Sequence, residues 1–154
     1  MTEPLLVTAA KAEVVHVFGG DIHLTMPQGL TQARVSIVED VRRPGDGPPL
    51  HVHANEDEIF RVIEGRFRFR VAEATFEAGP GDTAFLPRAV PHCFVNAGGT
   101  TGRLLVVLEP GGFERFFLDV VAEQLEVPAD MARIAELAGR YGLRFLGPNP
   151  LIGH

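Results

Sequence analysis

Short apolar runs separated by turn residues are the feature that most constrains the fold of this chain. Across residues 14–109, Gly, Pro, Asn and Asp interrupt the apolar runs every few residues. This pattern is typical of successive β-strands and turns, and so many short strands in one segment indicate a sandwich or a barrel. The predicted strands cover residues 14–18, 33–39, 58–63, 66–71, 83–86, 93–96 and 104–109.

Residues 66–71 show the clearest alternation, with arginines at the even positions and Phe67, Phe69 and Val71 at the odd ones. Successive side chains of a strand point to opposite faces. We therefore expect the aromatic face to lie in the core and the arginine face to meet solvent or a second subunit.

The period of the apolar residues changes after the Pro-Gly-Gly sequence at 110–112. Phe113, Phe116 and Phe117 begin a helical pattern that continues to residue 125, and a second helix is predicted at 130–141. The length of 154 residues suits a single domain. We predict one domain over residues 1–154, with a β core at about 14–109 and a helical segment at about 112–142 packed outside it.

Composition excludes several classes of function. The net charge of −6 disfavours nucleic acid as a partner, and no segment has the length and apolarity of a membrane span or the pattern of a signal peptide. Cys93 is the only cysteine, so an intrachain disulfide is impossible. We expect a cytoplasmic protein that binds neither nucleic acid nor membrane.

Two histidines two residues apart begin the segment that carries the chemistry. On a strand, His51 and His53 point to the same side, so their imidazoles converge. Five residues later Glu58 shares a strand face with apolar residues, where a carboxylate needs a counter-charge. Glu56 and Asp57 are competing candidates, but Asp57 is out of phase and Glu56 is in phase only if the strand begins early.

A third histidine, His92, enters the strand predicted at 93–96. Three imidazoles and one carboxylate suit a divalent transition metal, whether Fe, Mn, Ni, Co, Cu or Zn, and leave coordination positions free for other ligands. His16, His23 and His154 have no such spacing and are interpreted as solvated or structural residues.

These residues belong to two sequence blocks that resemble the two motifs of the cupin superfamily. The first runs from Gly45 through His51, His53 and Glu58 to Gly65, and the second from Gly81 through Pro87 and His92 to Asn96. Ala89 departs from the pattern, since the family usually has glycine there. The resemblance implies a mainly β fold, the double-stranded β-helix or jelly-roll barrel, with one metal ion bound inside it by His51, His53, Glu58 and His92.

A narrower resemblance is to single-domain bacterial cupins similar to quercetin 2,3-dioxygenase. It depends on residues 49–53, 57–58, 110–117, 141–143 and 147–148. The resemblance implies a metal-dependent dioxygenase acting on a small aromatic or enolic substrate, with Glu58 as both metal ligand and general base.

The expected substrate pocket is apolar. The only lysine, Lys11, and the only tyrosine, Tyr141, fall outside the predicted strands, and the arginines at 66–70 are expected to face outward. This disfavours a metal-dependent isomerase of phosphorylated sugars and favours a neutral or aromatic small molecule. The residues predicted to line the pocket are Phe60, Val62, Phe69, Phe85 and Phe94, with Leu86 as the alternative to Phe85.

The sequence also allows a function without catalysis, and it predicts more than one subunit. The same barrel and ligands would suit a non-catalytic module that binds a metal and a small molecule as sensor, carrier or store. Ile59 and Ile63, together with the helical stripe of Phe113, Phe116 and Phe117, would leave much apolar surface exposed on a small monomer. We therefore predict a homodimer.

Overall fold

The computed structural model describes residues 3–153. This part of the chain forms eleven β-strands and two α-helices, and both helices lie between the tenth and eleventh strands. The strands are β1 (Glu13–Val17), β2 (Gly20–Met26), β3 (Ser36–Arg42), β4 (Leu50–His53), β5 (Asp57–Glu64), β6 (Phe67–Val71), β7 (Ala74–Ala78), β8 (Thr83–Leu86), β9 (His92–Asn96), β10 (Gly102–Glu109) and β11 (Leu143–Gly147). The helices are α1 (Glu114–Ala122) and α2 (Met131–Gly139).

The strands form two antiparallel sheets that enclose one core. One sheet has six strands in the order β1-β2-β3-β10-β5-β8, and the other has five in the order β11-β4-β9-β6-β7. Within residues 3–153 the sheets are not joined by hydrogen bonds into one closed barrel, but their arrangement is the expected jelly roll. All seven predicted strands are present, and β2, β4, β7 and β11 add to them.

The alternation in β6 divides core from surface as the sequence predicts. Phe67 and Phe69 are fully buried, whereas Arg68 lies on the outer face and pairs with Glu77 of β7 at 2.7 Å. The turn before β6 requires glycine at residue 65, since its φ is +85° and a Cβ there would lie 3.0 Å from the Cα of Gly102.

The two helices pack outside the sheets, as predicted, but the aromatic stripe of the first is not exposed. Helix α1 packs on β1 and α2 packs on β11. Phe113 is 5% exposed and Phe116 is fully buried, and both turn toward the space between the sheets. The expectation that this stripe adds to an exposed apolar surface is therefore wrong, because α1 closes the end of the β-fold. Neither helix within residues 3–153 has the length and apolarity needed to cross a membrane.

Candidate metal centre

Four side chains predicted as metal ligands converge between the two sheets. Strand β4 places His51 and His53 on its inner face, and the pairing of β4 with β9 sets His51 opposite His92. Glu58 comes from β5 of the other sheet. One candidate ligand atom from each of these four residues lies within 4.8 Å of the others. The structure thus brings together all four residues that the sequence singled out.

Each histidine turns the same ring nitrogen away from the site. The Nδ1 atom of His51 lies 2.7 Å from the carbonyl oxygen of Pro49, and that of His92 lies 3.3 Å from the carbonyl oxygen of Val90. These acceptors favour a proton on Nδ1, which leaves Nε2 with a free lone pair. The three Nε2 atoms are therefore available to bind a cation, the arrangement that metal-binding histidines generally adopt.

Glu56 gives His53 the same orientation and was not assigned this role from the sequence. Its Oε2 atom lies 3.1 Å from the Nδ1 atom of His53, and the Glu56 side chain is buried. Asp57, the other competitor of Glu58, points to the outer side of β5 and pairs with Arg88 at 3.1 Å. Glu58 is therefore the carboxylate that faces the histidines, whereas Glu56 contacts the ring nitrogen of His53 that is turned away from the site.

The polar atoms at the centre lack hydrogen-bond partners. Glu58 Oε2 and His92 Nε2 are 2.8 Å apart, but among the described residues neither buried atom has a partner with hydrogen-bond geometry. Buried polar atoms without partners are costly, and a cation between them would satisfy both. The donor set of three imidazoles and one carboxylate therefore fits a divalent transition metal.

The electrostatics of the site also suit a cation. Burial opposes the ionised form of Glu58, but the neighbouring His53 and His92 outweigh it and lower the pKa of Glu58 to about 2. Burial, with added repulsion from His92 and His53, lowers the pKa of His51 well below its ordinary value. The pKa of His53 is raised, because Glu58 and Glu56 outweigh the burial of its ring. Glu58 is thus a carboxylate and His51 a neutral imidazole at neutral pH.

A mainly apolar cavity of about 70 Å³ is lined by three of the four residues, His51, His53 and Glu58. Of the predicted lining residues, Phe60 and Phe94 do line it, while Val62 and Phe69 are buried in the core beside it. Phe85 is 60% exposed, so its prediction as a lining residue is wrong. The register that pairs Glu58 with Leu86 turns Leu86 inward and Phe85 outward.

Further aromatic rings close the cavity at positions that the strand pattern did not reveal. Phe113 stands edge-on against His53 with ring centroids 4.4 Å apart. Phe18 lies in the turn between β1 and β2, and its ring centroid is 5.5 Å from that of Phe145 on β11. These residues belong to a turn, to the α1 region and to a late strand. Only the tertiary structure brings them together over the site with Phe116 and Phe117.

The cavity also contains a charged pair, against the expectation that no arginine faces the interior. Arg42 and Asp40 line it, and the Nε atom of Arg42 lies 2.7 Å from Oδ1 of Asp40. The sequence prediction ended this strand at residue 39, although the alternation of Ser36, Val38, Asp40 and Arg42 continues to its true end. Because the two charges are paired, they add no net charge to the wall of the cavity.

His16, His23 and Cys93 lie outside this group of four residues. His16 is exposed and bonds Asp21 at 2.7 Å, and His23 lies on β2, whereas His154 is outside the described residues. Cys93 is fully buried, and burial raises the pKa of its thiol to about 11. Ala89 adopts a φ of +63°, the left-handed conformation that favours glycine, and its N–H donates to the carbonyl oxygen of His53 at 2.7 Å.

Comparison with known proteins agrees with this architecture. The family model described as the cupin domain matches residues 41–108, which include all four candidate ligands. The RmlC-like cupin of Shewanella frigidimarina superposes with a TM-score of 0.60 at 20% identity, covering 72% of this chain and 96% of that one. The chain therefore has the double-stranded β-helix fold of the cupins, and its residues 41–108 match the cupin domain.

Two further relatives share more of the sequence. The polyketide cyclase RemF of Streptomyces resistomycificus is 29% identical with a TM-score of 0.60, covering 70% of this chain and 80% of that one. An uncharacterized protein of Methanocaldococcus jannaschii is 29% identical over 89 residues, which are 58% of this chain and 69% of the relative.

Proposed function

We propose that this protein is a metal-dependent dioxygenase that acts on a compact enolic or phenolic substrate. The observation that carries the proposal is the pair of buried atoms, Glu58 Oε2 and His92 Nε2, left without hydrogen-bond partners beside an apolar cavity. Such a site is costly unless a cation and a ligand complete it.

His51, His53, His92 and Glu58 would hold one divalent ion, with Fe, Mn, Ni, Co, Cu and Zn all compatible with the donor set. When bound, the metal supplies Lewis-acid and redox chemistry at the floor of the cavity. The histidines bind through Nε2, since their Nδ1 atoms are directed at other acceptors. The fixed Nδ1 contacts keep the three rings in the orientation that binding requires.

Glu58 has the second role of proton acceptor. Its carboxylate is within reach of an enol or phenol hydroxyl placed in the cavity, and it would take the hydroxyl proton and later return it to the product. Both atoms of dioxygen enter the substrate, whose carbon atoms supply the four electrons, so no external reductant is needed. Phe60, Phe94 and Phe113 exclude water from this region.

The dimensions of the cavity limit the substrate. An apolar cavity of about 150 Å³ is enough to hold benzene, so the 70 Å³ seen here admits a molecule with one ring only if side chains over the site, such as Phe18 and Phe117, move aside. A three-ring flavonol would require a much larger displacement of the same side chains. The resemblance to a polyketide cyclase supports an enolic substrate, since the alternating carbonyls of polyketides enolise readily.

The narrowness of the cavity favours one other function, a module that binds metal and a small molecule without turnover. In such a protein the aromatic rings over the site would stay closed, and the metal would have no room for dioxygen and a substrate together. The two functions differ in turnover, not in ligand set.

The test is metal analysis of protein purified without an affinity tag or added metal, followed by oxygen uptake with enols, catechols and flavonols. We expect about one transition metal per chain and oxygen uptake with the smaller compounds. Absence of metal from the wild-type protein, or stoichiometric metal in a His51→Ala/His53→Ala variant, would refute the site. Full metal without oxygen uptake for any compound would favour the binding module.

The Glu58→Gln variant separates metal binding from proton transfer. Glutamine keeps the shape and a neutral oxygen ligand but cannot accept the proton, and general bases typically contribute about a hundredfold to ten-thousandfold. We expect Glu58→Gln to keep much of its metal while oxygen uptake falls by about a hundredfold or more. Glu77→Gln, an exposed glutamate on β7, is the matched control and should leave both unchanged. Unchanged uptake in Glu58→Gln would show that another group accepts the proton.

A further inference from the structure

The ion pair of Asp40 and Arg42 is built into the wall of the cavity rather than onto the surface. Arg42 is 3% exposed and contacts both carboxylate oxygens of Asp40, at 2.7 Å from Nε and 2.9 Å from Nη2. Gly20 makes room for the pair, since a Cβ there would lie 2.5 Å from the guanidinium carbon. Phe94, another wall residue, has its ring centroid 5.6 Å from that carbon.

The strand register separates the pair from the metal centre along the cavity. Ser36 of β3 lies opposite Leu108 of β10, which pairs with Glu58, so Ser36 is level with the metal centre. The Cα atom of Asp40 is four residues further along β3, about 13 Å at the usual rise of a strand, but its carboxyl group is close enough to Glu58 for the charge of Glu58 to contribute to the raised pKa of Asp40. The same cavity is lined by Glu58 and by Asp40. One end of the cavity therefore has the metal ligands and the other the ion pair.

The pair offers both a donor and an acceptor to a ligand. A guanidinium has five N–H donors, and the described residues use three from Arg42, two for Asp40 and one for the carbonyl oxygen of Phe18. Each Asp40 oxygen has a lone pair to spare. A hydroxyl group, which both donates and accepts, complements this arrangement. A carboxylate would meet the negative charge of Asp40, and an apolar group would leave the spare N–H groups unpaired.

We propose that Asp40 and Arg42 recognise a hydroxyl group at the end of the substrate remote from the metal. The substrate is then a compact neutral molecule with two polar ends, an enol or phenol hydroxyl at Glu58 and a second hydroxyl at Arg42. The hydroxyl at Glu58 rests on the proposed function. The recognition of the second hydroxyl depends only on the geometry of the ion pair.

The experiment compares single-ring compounds of similar size in protein loaded with zinc, which is redox-inert. Hydroquinone has a hydroxyl opposite the first one, 4-methylphenol has a methyl group there, and 4-hydroxybenzoate has a carboxylate. Dissociation constants are measured by calorimetric titration without oxygen. We expect hydroquinone to bind about tenfold more tightly than 4-methylphenol, the typical effect of a hydrogen bond to a charged group, and more tightly than 4-hydroxybenzoate.

The decisive variant is Arg42→Lys, which keeps the charge but loses the planar fork of donors. We expect its preference for hydroquinone over 4-methylphenol to fall to within about twofold. Arg103→Lys is the matched control and should keep the full preference. Arg103 of β10 pairs with Glu39 of β3 at 3.2 Å, away from the cavity. If Arg42→Lys does not fold, as judged by circular dichroism, Asp40→Asn replaces it with the same expectation.

The outcomes distinguish this inference from the proposed function. A preference that persists in Arg42→Lys, 4-hydroxybenzoate as the tightest ligand, or no binding by any of the three compounds would overturn the inference. Repeating the titrations in metal-free protein tests the other end of the cavity. If the Arg42-dependent preference is present and zinc has no effect on affinity, the recognition of the hydroxyl stands and the metal-dependent function fails.

Discussion

At the scale of single residues, the site depends on groups that hold the ligands as well as on the ligands themselves. His51 and His92 direct Nδ1 at main-chain carbonyls, which no side-chain substitution removes directly. His53 instead depends on the Glu56 carboxylate at 3.1 Å. Of the three histidines, His53 is therefore the one whose orientation a point mutation can test.

We expect Glu56→Ala to weaken metal binding about tenfold to a hundredfold, the usual cost of losing such a partner of a metal-binding histidine. Glu56→Gln should lose less, because its amide oxygen can still accept the hydrogen bond from Nδ1. Metal affinity is measured by competition with a chelator, and circular dichroism checks the fold. Equal losses in the two variants would mean that Glu56 acts through its charge and not through the bond to His53.

At the scale of secondary-structure elements, a buried glutamate at the start of α1 fixes the helix to the β-fold. Glu114 is 1% exposed, and its carboxylate accepts hydrogen bonds from the Ser36 hydroxyl at 2.7 Å and from the backbone N–H groups of Gln28 and Gly112. These contacts join α1 to β3 and to the loop that precedes the helix. They set the position of Phe113 and Phe116 over the cavity.

We expect Glu114→Ala to lower the free energy of unfolding by about 3 kcal/mol, because it leaves buried donors unsatisfied at about 1–3 kcal/mol each. Urea denaturation followed by circular dichroism measures the change. Glu126→Ala, an exposed glutamate beyond the same helix, is the control and should change stability by less than about 0.5 kcal/mol. A small effect of Glu114→Ala would mean that water replaces the lost carboxylate.

The two helices are joined by a hydrogen bond that should depend on pH. The Tyr141 hydroxyl, just after α2, donates to the Asp119 carboxylate of α1, and burial together with this bond raises the pKa of the phenol. Below pH of about 10 the phenol is protonated in both states, so the bond contributes fully. As the pH rises further, the unfolded chain loses its proton first and the contribution is lost.

We therefore expect wild-type protein to be more stable than Tyr141→Phe at pH 8, with the difference shrinking as the pH rises above about 10. The urea midpoints of both proteins across this range measure it, and using the difference cancels the titration of other groups. A difference that grows with pH would contradict the assigned direction of the Tyr141 pKa.

At the scale of the whole molecule, one apolar patch remains on the outer face of the six-stranded sheet. Ile59 and Phe85 are direct cross-strand neighbours and are 42% and 60% exposed, and Ile63 lies further along β5. Strand β8 is at the edge of its sheet, so a second copy can approach this face freely. The aromatic stripe of α1 is not part of the patch, and the predicted homodimer would use the sheet alone.

We expect light scattering at micromolar concentration to return about twice the chain mass of 16.7 kDa. The double variant Ile59→Glu/Phe85→Glu should shift the protein to the monomer, since charges at the centre of an apolar interface are costly to bury. Val127→Glu, at an exposed apolar residue elsewhere, should not. A wild-type mass near 16.7 kDa would show that the prediction of a dimer is wrong. The prediction of one domain over residues 1–154 also stays a prediction.

The sequence by itself determined the features that depend on local period and spacing. The inward direction of His51 and His53 follows from their separation by two residues on a strand, and Phe67 and Phe69 are buried for the same reason. Glu58 and His92 could be chosen because the spacing of the two sequence blocks resembles that of a family. These properties require no knowledge of which strands are neighbours.

Only the tertiary structure decided the features that depend on pairing between distant segments. Whether Phe85 or Leu86 faces inward is set by the register of β8 against β5, and the continuation of β3 to Arg42 is set by its pairing with β10. Strand β11 has little alternation, so its pairing with β4 stabilises it more than its own sequence does. Strand β2, by contrast, alternates apolar and polar residues from Gly20 to Met26, a local pattern that the sequence prediction missed. These contacts between distant segments close the cavity and place the ion pair at its far end. A local sequence pattern does not predict them, because their free energy depends on which segments become neighbours.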